Sequence, residues 1–300
     1  MSKVKKSIPI ENKERILPRR LVVKCGTENL CSQDGEKKLD QKIFNDYARQ
    51  VVELQKQGVN IVIISSGAIK AGREELEDLG LETKGFDKQV LASVGQPLLM
   101  KRWEEAFRKF GKTPGQLLVT FTNWSSERER NEVIQCIFDL WKIGQIPIIN
   151  ENDPVSDKEI KLMEKRISEN DQLAKMTALK IGADAILFLT DEGGIYTADP
   201  KIDPNAQLYK EVSTRDIPAG LTCPAEEDTS GKSGAGGMAT KLKGAFRCAK
   251  RKLRVAIAGY EENVILKFAK GESVGTKIGR VTRLKKQSLV LGVETSSGEY

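Results

Sequence analysis

Short unbroken runs of apolar, β-branched residues recur along the chain, each followed by a longer stretch whose apolar positions fall three and four apart. Leu21–Val23 is the first run and leads through Lys24 to Gly26. Ile43, Phe44, Tyr47, Ala48, Val51 and Val52 then repeat at helical spacing within 39–57, and Gly58 is placed to stop that helix. Val59–Ile64 is the next run, closed by Ser65-Ser66-Gly67. The same reading predicts helices over about 96–110, 128–143, 170–181, 238–251 and 262–270. It predicts strands over 116–121, Ile146–Ile149, Ala185–Leu189 and Val255–Ala258. Strands alternating with helices imply an α/β protein with a mainly parallel central sheet. Unbroken apolar strands imply helices on both faces of that sheet, an αβα sandwich. The polar stretches 153–168 and 220–235 read as loops.

In sheets of this kind ligands bind beyond the carboxyl ends of the strands. Four such ends carry small, polar or charged residues: Lys24, Gly26 and Thr27; Ser65-Ser66-Gly67-Ala68; Asn150-Glu151-Asn152-Asp153; and Thr190-Asp191. Turn chemistry accounts for some of this, but not for four ends in succession.

Composition narrows the chemistry. The 300 residues include no histidine, which removes Ser-His-Asp hydrolases, papain-like proteases and histidine-ligated metal sites. Five cysteines, at 25, 31, 136, 223 and 248, are odd in number and form no CxxC pair. A disulfide framework or zinc ribbon is disfavoured, and a reducing, cytoplasmic compartment is the expectation. The first twenty residues lack an apolar signal segment, and no apolar run reaches the roughly 18 residues of a membrane span.

The net charge of +7 invites a nucleic-acid reading, but its distribution weakens it. Residues 1–20 carry seven basic and two acidic groups, and residues 277–300 carry five and two, leaving 21–276 at −1. The excess sits in two ends that read as solvated tails.

Residues 230–241, SGKSGAGGMATK, precede an amphipathic stretch. Glycines there let backbone N–H groups approach an anion at a helix start, so the segment fits a phosphate cradle. A flexible loop before a helix fits equally well. Glu226 stands where a Walker A loop needs glycine, and no strand immediately precedes Gly234 as a Rossmann fingerprint requires.

Eight ordered segments resemble the amino acid kinase family, within it the branch that phosphorylates glutamate: LVVKCGT (21–27), SSGAIKAGRE (65–74), ASVGQ (92–96), PIINENDPVS (147–156), ENDQLA (169–174), LTDEGGIYTADP (189–200), GAGGMATKLKGA (234–245) and VGTKIG (274–279). The likeness covers about 19–279. It implies the amino acid kinase fold and ATP-dependent, Mg2+-assisted phosphorylation of the L-glutamate γ-carboxylate, which opens proline biosynthesis. Catalytic roles fall on Lys24, Asp171 and Lys241, with Asp171 orienting the two lysines. Acceptor binding falls on Ser66, Gly67, Asp153 and Asn170. Nucleotide contacts fall on Lys24, Gly26, Thr190 and Asp191, and on Ala235, Gly236, Gly237, Met238, Ala239, Thr240 and Lys241 as the loop over the ATP phosphates. No residue is assigned to a resident metal.

The resemblance further implies a homo-oligomer (dimer or tetramer), proline as a feedback inhibitor and a downstream glutamyl phosphate reductase. It implies neither a membrane nor a nucleic-acid partner. The expected layout is a basic tail over 1–18, the kinase domain over 19–280 and a tail over 281–300, without a C-terminal PUA domain. Where the family shows an FGDND-like segment, this chain has Ile167-Ser168-Glu169-Asn170-Asp171. Kinases acting on N-acetylglutamate or aspartate are the alternatives within the family. A basic nucleic-acid-binding protein on a vestigial kinase fold is the alternative outside it. A histidine-free chain suits an acceptor whose carboxylate, with a pKa of about 4.3, needs no base at neutral pH.

Overall fold

Strand β1 (Arg20–Cys25) occupies the middle of an eight-stranded sheet in a computed structural model that describes residues 17–32, 36–155, 169–200, 202–214 and 244–279. The other strands are β2 (Asn60–Ser65), β3 (Pro114–Val119), β4 (Ile146–Glu151), β5 (Ala185–Leu189), β6 (Glu211–Ser213), β7 (Arg254–Ala258) and β8 (Thr276–Gly279), in the order β3-β4-β2-β1-β5-β7-β8-β6. Every pairing is parallel except β7 with β8. Cys25 lies level with Ser65 on one side and Leu189 on the other, so the carboxyl ends of β2, β1 and β5 form one edge.

Side chains of successive residues leave a strand on opposite faces, and β1 feeds two cores. Leu21, Val23 and Cys25 pack with α1 (Gln41–Lys56), α3 (Lys88–Arg108) and α8 (Val264–Lys270). Val22 packs with α5 (Glu127–Lys142), α6 (Glu169–Lys180) and α7, the helical residues 244–250. Both sheet faces are covered, and the αβα sandwich read from the pattern is what forms. On the first face Trp103 meets Phe44 edge-on, centroids 4.7 Å apart, and stacks on Phe107 at 6.0 Å. All three are fully buried, each contributing about 1.5–3 kcal/mol of hydrophobic stabilisation.

Two helices depart from the expectation. α2 (Ala68–Asp78) stands where the pattern indicated none, and α3 begins at Lys88 instead of near 96. The reason is Gly72 and Gly95, which break the apolar pattern because they serve close approach. A Cβ on Gly72 would lie 1.9 Å from Leu91 O, and one on Gly95 would lie 1.9 Å from Ala68 O. Only bare backbone lets the two helices meet this closely.

Smaller differences have local causes. Strand 116–121 is shifted to β3, because Thr120 instead caps a short helix α4 (Phe121–Ser125) through reciprocal bonds with Asn123. β6 and β8 are too short to show a period. Of the stretch 238–251, residues 244–250 are helical and 238–243 lie outside the described residues. Most of the predicted loops 153–168 and 220–235 lie outside them as well. Among the described residues, no helix is long and apolar enough to cross a membrane.

Candidate active site

The four residue groups singled out at strand ends come from β4, β2, β1 and β5, which are neighbours in that order. Lys24, one residue from the end of β1, points to the α6 face. Its Nζ lies 2.8 Å from Asp171 Oδ1, and the two side chains are only 5% and 1% exposed. The contact is an ion pair without good hydrogen-bond alignment, and Asp171 Oδ2 is buried with no hydrogen-bond partner among the described residues. A buried charge is tolerated when paired, and α6 delivers to β1 a carboxylate that pairs with the buried ammonium. Burial pushes the neighbouring Cys25 thiol up to about 12, with Lys24 pulling the other way. The thiol therefore stays neutral and adds no competing negative charge.

Lys24 separates two polar regions. On the β2–β4 side, Asn170 Nδ2 donates to Ser66 Oγ at 2.9 Å and to Asn150 Oδ1 at 3.1 Å. Asn150 Nδ2 donates to Gln96 Oε1 at 2.7 Å. Gly67, with φ +116°, starts α2 in a conformation that a side chain would strain. Ser65 Oγ accepts from the Trp103 indole at 2.9 Å and donates to Ser66 O at 3.1 Å, which ties the turn to the aromatic core. The 3₁₀ turn Asp153–Val155 packs against α3, placing Asp153, partly exposed, on the same side.

On the β5 side, Gly26 N donates to Leu189 O at 3.0 Å and Thr190 N donates to Ala258 O at 2.8 Å. A Cβ on Gly26 would reach 3.0 Å from Leu189 O, so glycine keeps the turn against β5. Asn29, 1% exposed, donates from Nδ2 to Thr190 O at 3.2 Å, while its Oδ1 accepts from Tyr47 OH at 2.6 Å. Thr190 Oγ1 is buried without a hydrogen-bond partner among the described residues, and Asp191 is exposed beside it.

The structure thus brings together Lys24 and Asp171, groups Ser66, Gly67, Asn170 and Asp153 on one side, and Gly26, Thr190 and Asp191 on the other. Ala235, Gly236, Gly237, Met238, Ala239, Thr240 and Lys241 lie outside the described residues. Sequence reasoning missed Asn29, Gln96 and Trp103, and passed over Asn150 as a site residue. Asn150 and Gln96 stood inside the strings PIINENDPVS and ASVGQ. Asn29 and Trp103 carried no signal, since a buried hydrogen-bonding side chain is indistinguishable from core without its partner.

A mainly parallel sheet thus carries a buried lysine–aspartate pair at its carboxyl edge, flanked by polar regions on both sides, an arrangement compatible with an enzyme that handles a charged group. The model of the amino acid kinase family matches residues 19–259, and the chain belongs to that family. Its curated relatives include glutamate 5-kinases. The enzyme of Photobacterium profundum is 37% identical over 271 residues, which cover 90% of this chain and 69% of the relative. That of Vibrio vulnificus is 40% identical over 265 residues, covering 87% and 66%. The chain therefore spans about two thirds of the length of these relatives. Among solved structures, UMP kinase from Bacillus anthracis aligns with a TM-score of 0.56 at 16% identity, over 89% of this chain and 98% of that one. Carbamate kinase from Giardia lamblia bound to AMP-PNP aligns with 0.58 at 13% identity, over 89% and 100%. At such identities the likeness is one of fold.

Proposed function

We propose that the chain transfers the γ-phosphoryl group of MgATP to the γ-carboxylate of L-glutamate, the reaction named by its glutamate 5-kinase relatives. The observation that carries this reading is the buried Lys24–Asp171 pair set between two polar regions. A carboxylate oxygen attacks the γ-phosphorus in line, the new O–P bond forms as the bond to the bridging oxygen breaks, and ADP leaves. The acceptor is already ionised at neutral pH, so no base is required. What remains is positioning and charge stabilisation.

Lys24 answers charge on the transferred group, and Asp171 holds its ammonium in place. Asp171 Oδ2, without a hydrogen-bond partner among the described residues, offers a second negative oxygen to a cation, which the resemblance assigns to Lys241. Ser66, Gly67, Asn170 and Asp153 form the acceptor side, with Asp153 supplying negative charge for the α-ammonium. Gly26, Thr190, Asp191 and the 235–241 loop form the nucleotide side, and magnesium arrives with ATP. The acyl phosphate product is labile, which makes a glutamyl phosphate reductase the expected consumer in proline synthesis. Proline feedback, a homo-oligomeric state and a cytoplasmic location belong to the same reading through the resemblance.

The test is trapping of the acyl phosphate with hydroxylamine, using ATP and a panel of glutamate, aspartate and N-acetylglutamate. Glutamate-dependent hydroxamate supports the proposal. Product from either other acid with none from glutamate would assign the site to another acceptor.

A further inference from the structure

Asn170, Asn150 and Gln96 belong to α6, β4 and α3, yet their carboxamides form one directed chain. Asn170 Nδ2 donates to Asn150 Oδ1, and Asn150 Nδ2 donates to Gln96 Oε1. Asn150 and Gln96 are 2% and 6% exposed. At the two ends Asn170 Oδ1 and Gln96 Nε2 are buried with no hydrogen-bond partner among the described residues. A primary amide carries a donor group on one side and an acceptor on the other, so such a chain has two self-consistent directions. Ser66 does not choose between them, because a hydroxyl serves as donor or acceptor. The direction decides what the Asn170 end leaves over. As found it leaves a carbonyl oxygen; reversed, it would leave an NH₂.

Gln96 is held where it can carry the far end of this chain. Its neighbour Gly95 presses so closely on α2 that an added Cβ would meet Ala68 O at 1.9 Å and Gly72 N at 2.2 Å. The backbone of α3 is therefore immobilised one residue from the side chain that receives Asn150 Nδ2. An amide relay is costly to leave half-satisfied in a buried place, so the orientation chosen at one end propagates to the other.

We propose that Gln96 is a positioning residue for the acceptor. By accepting from Asn150 Nδ2 it holds that carboxamide in the observed arrangement, in which Asn170 Oδ1 is left to accept from the α-ammonium of an unmodified amino acid. This rests on the reading of the site as a glutamate pocket.

The experiment compares wild type, Gln96→Met and Gln96→Glu with glutamate and with glutarate, which lacks the ammonium. Methionine conserves volume and removes the acceptor; a carboxylate, assayed at about pH 8–9 to keep it ionised against its burial, accepts only and so preserves the observed arrangement. For Gln96→Met the KM for glutamate is expected to rise about tenfold, the scale of one charge-assisted hydrogen bond, with the KM for ATP within about twofold. The preference for glutamate over glutarate should fall by about the same factor, whereas Gln96→Glu should keep both quantities within about threefold of wild type.

A folded Gln96→Met protein with unchanged KM and preference would overturn the proposal. So would a Gln96→Glu protein that loses the preference for glutamate, an outcome readable even if Gln96→Met does not fold. Failure of the wild type to make glutamate-dependent hydroxamate strikes the functional reading itself, whereas an active wild type with indifferent variants strikes only Gln96.

Discussion

Replacing Asp171 by asparagine removes one charge and almost no volume. At the observed 2.8 Å, and with an effective dielectric near 20, the attraction to Lys24 is about 6 kcal/mol. Desolvation opposes much of this, and stripping one partner from a buried pair costs about 3–5 kcal/mol because the other charge is stranded. The asparagine carbonyl can still accept from the ammonium, so the lower end, about 3 kcal/mol, is expected for Asp171→Asn in urea unfolding.

Turnover should fall further than folding suggests. A preorganised charge that acts at the transition state is worth about 10²–10³ in kcat. ADP release under saturating glutamate and ATP reads this directly, with both KM values expected within a few-fold. Lys24→Met should be about as slow, and the double variant no slower than either, since groups acting as a unit are not additive. A folded Asp171→Asn enzyme turning over within about threefold of wild type would refute the orienting role.

Three further outcomes follow from packing. Gly72→Ala and Gly95→Ala each force a Cβ to within 1.9 Å of a carbonyl oxygen, and each should destabilise by about 3 kcal/mol or more in thermal or urea melts; an unchanged midpoint would contradict the helix contact. Trp103→Phe loses the bond to Ser65 and should cost about 1–2 kcal/mol while raising the KM for glutamate, because the Ser65-Ser66 turn loses its tether. A melt with matched kinetics separates the two effects. Native alkylation at pH 8 should label exposed Cys136 and spare Cys25, Cys31 and Cys248, since burial pushes these thiols up to about 12, 11 and 12 and the thiolate is the nucleophile. Peptide mapping that finds Cys25 labelled as fast as Cys136 would contradict its burial.

The α/β alternation was legible because a strand buried on both faces cannot hide. Leu21–Val23, Ile146–Ile149 and Ala185–Leu189 are unbroken, and the residues that follow them sit at the shared edge. Lys24 and Asp171 became a pair only through family likeness, since 147 positions separate them and no period joins β1 to α6. α2 and the first half of α3 were illegible for a physical reason: the glycines that let them touch lower helix propensity and interrupt the apolar stripe. Gln96 and Asn29 were illegible for another. Their meaning lies in which amide or carbonyl faces them, and that is a property of the assembled fold.

The contact of α2 with α3 has a mechanical consequence. Peptide planes at Ala68, Gly72 and Leu91 interlock like teeth, so neither helix can slide without unmeshing the other. Ser66 and Gly67 ride at the head of the first and Gln96 on the second, whereas Lys24 is anchored in the central strand. Ser66, Gly67 and Gln96 are thereby tied into one unit beside Lys24. On the proposed reading, loosening the mesh would blur the position of the acceptor against Lys24, and the loss would appear in turnover before any nucleotide contact was touched.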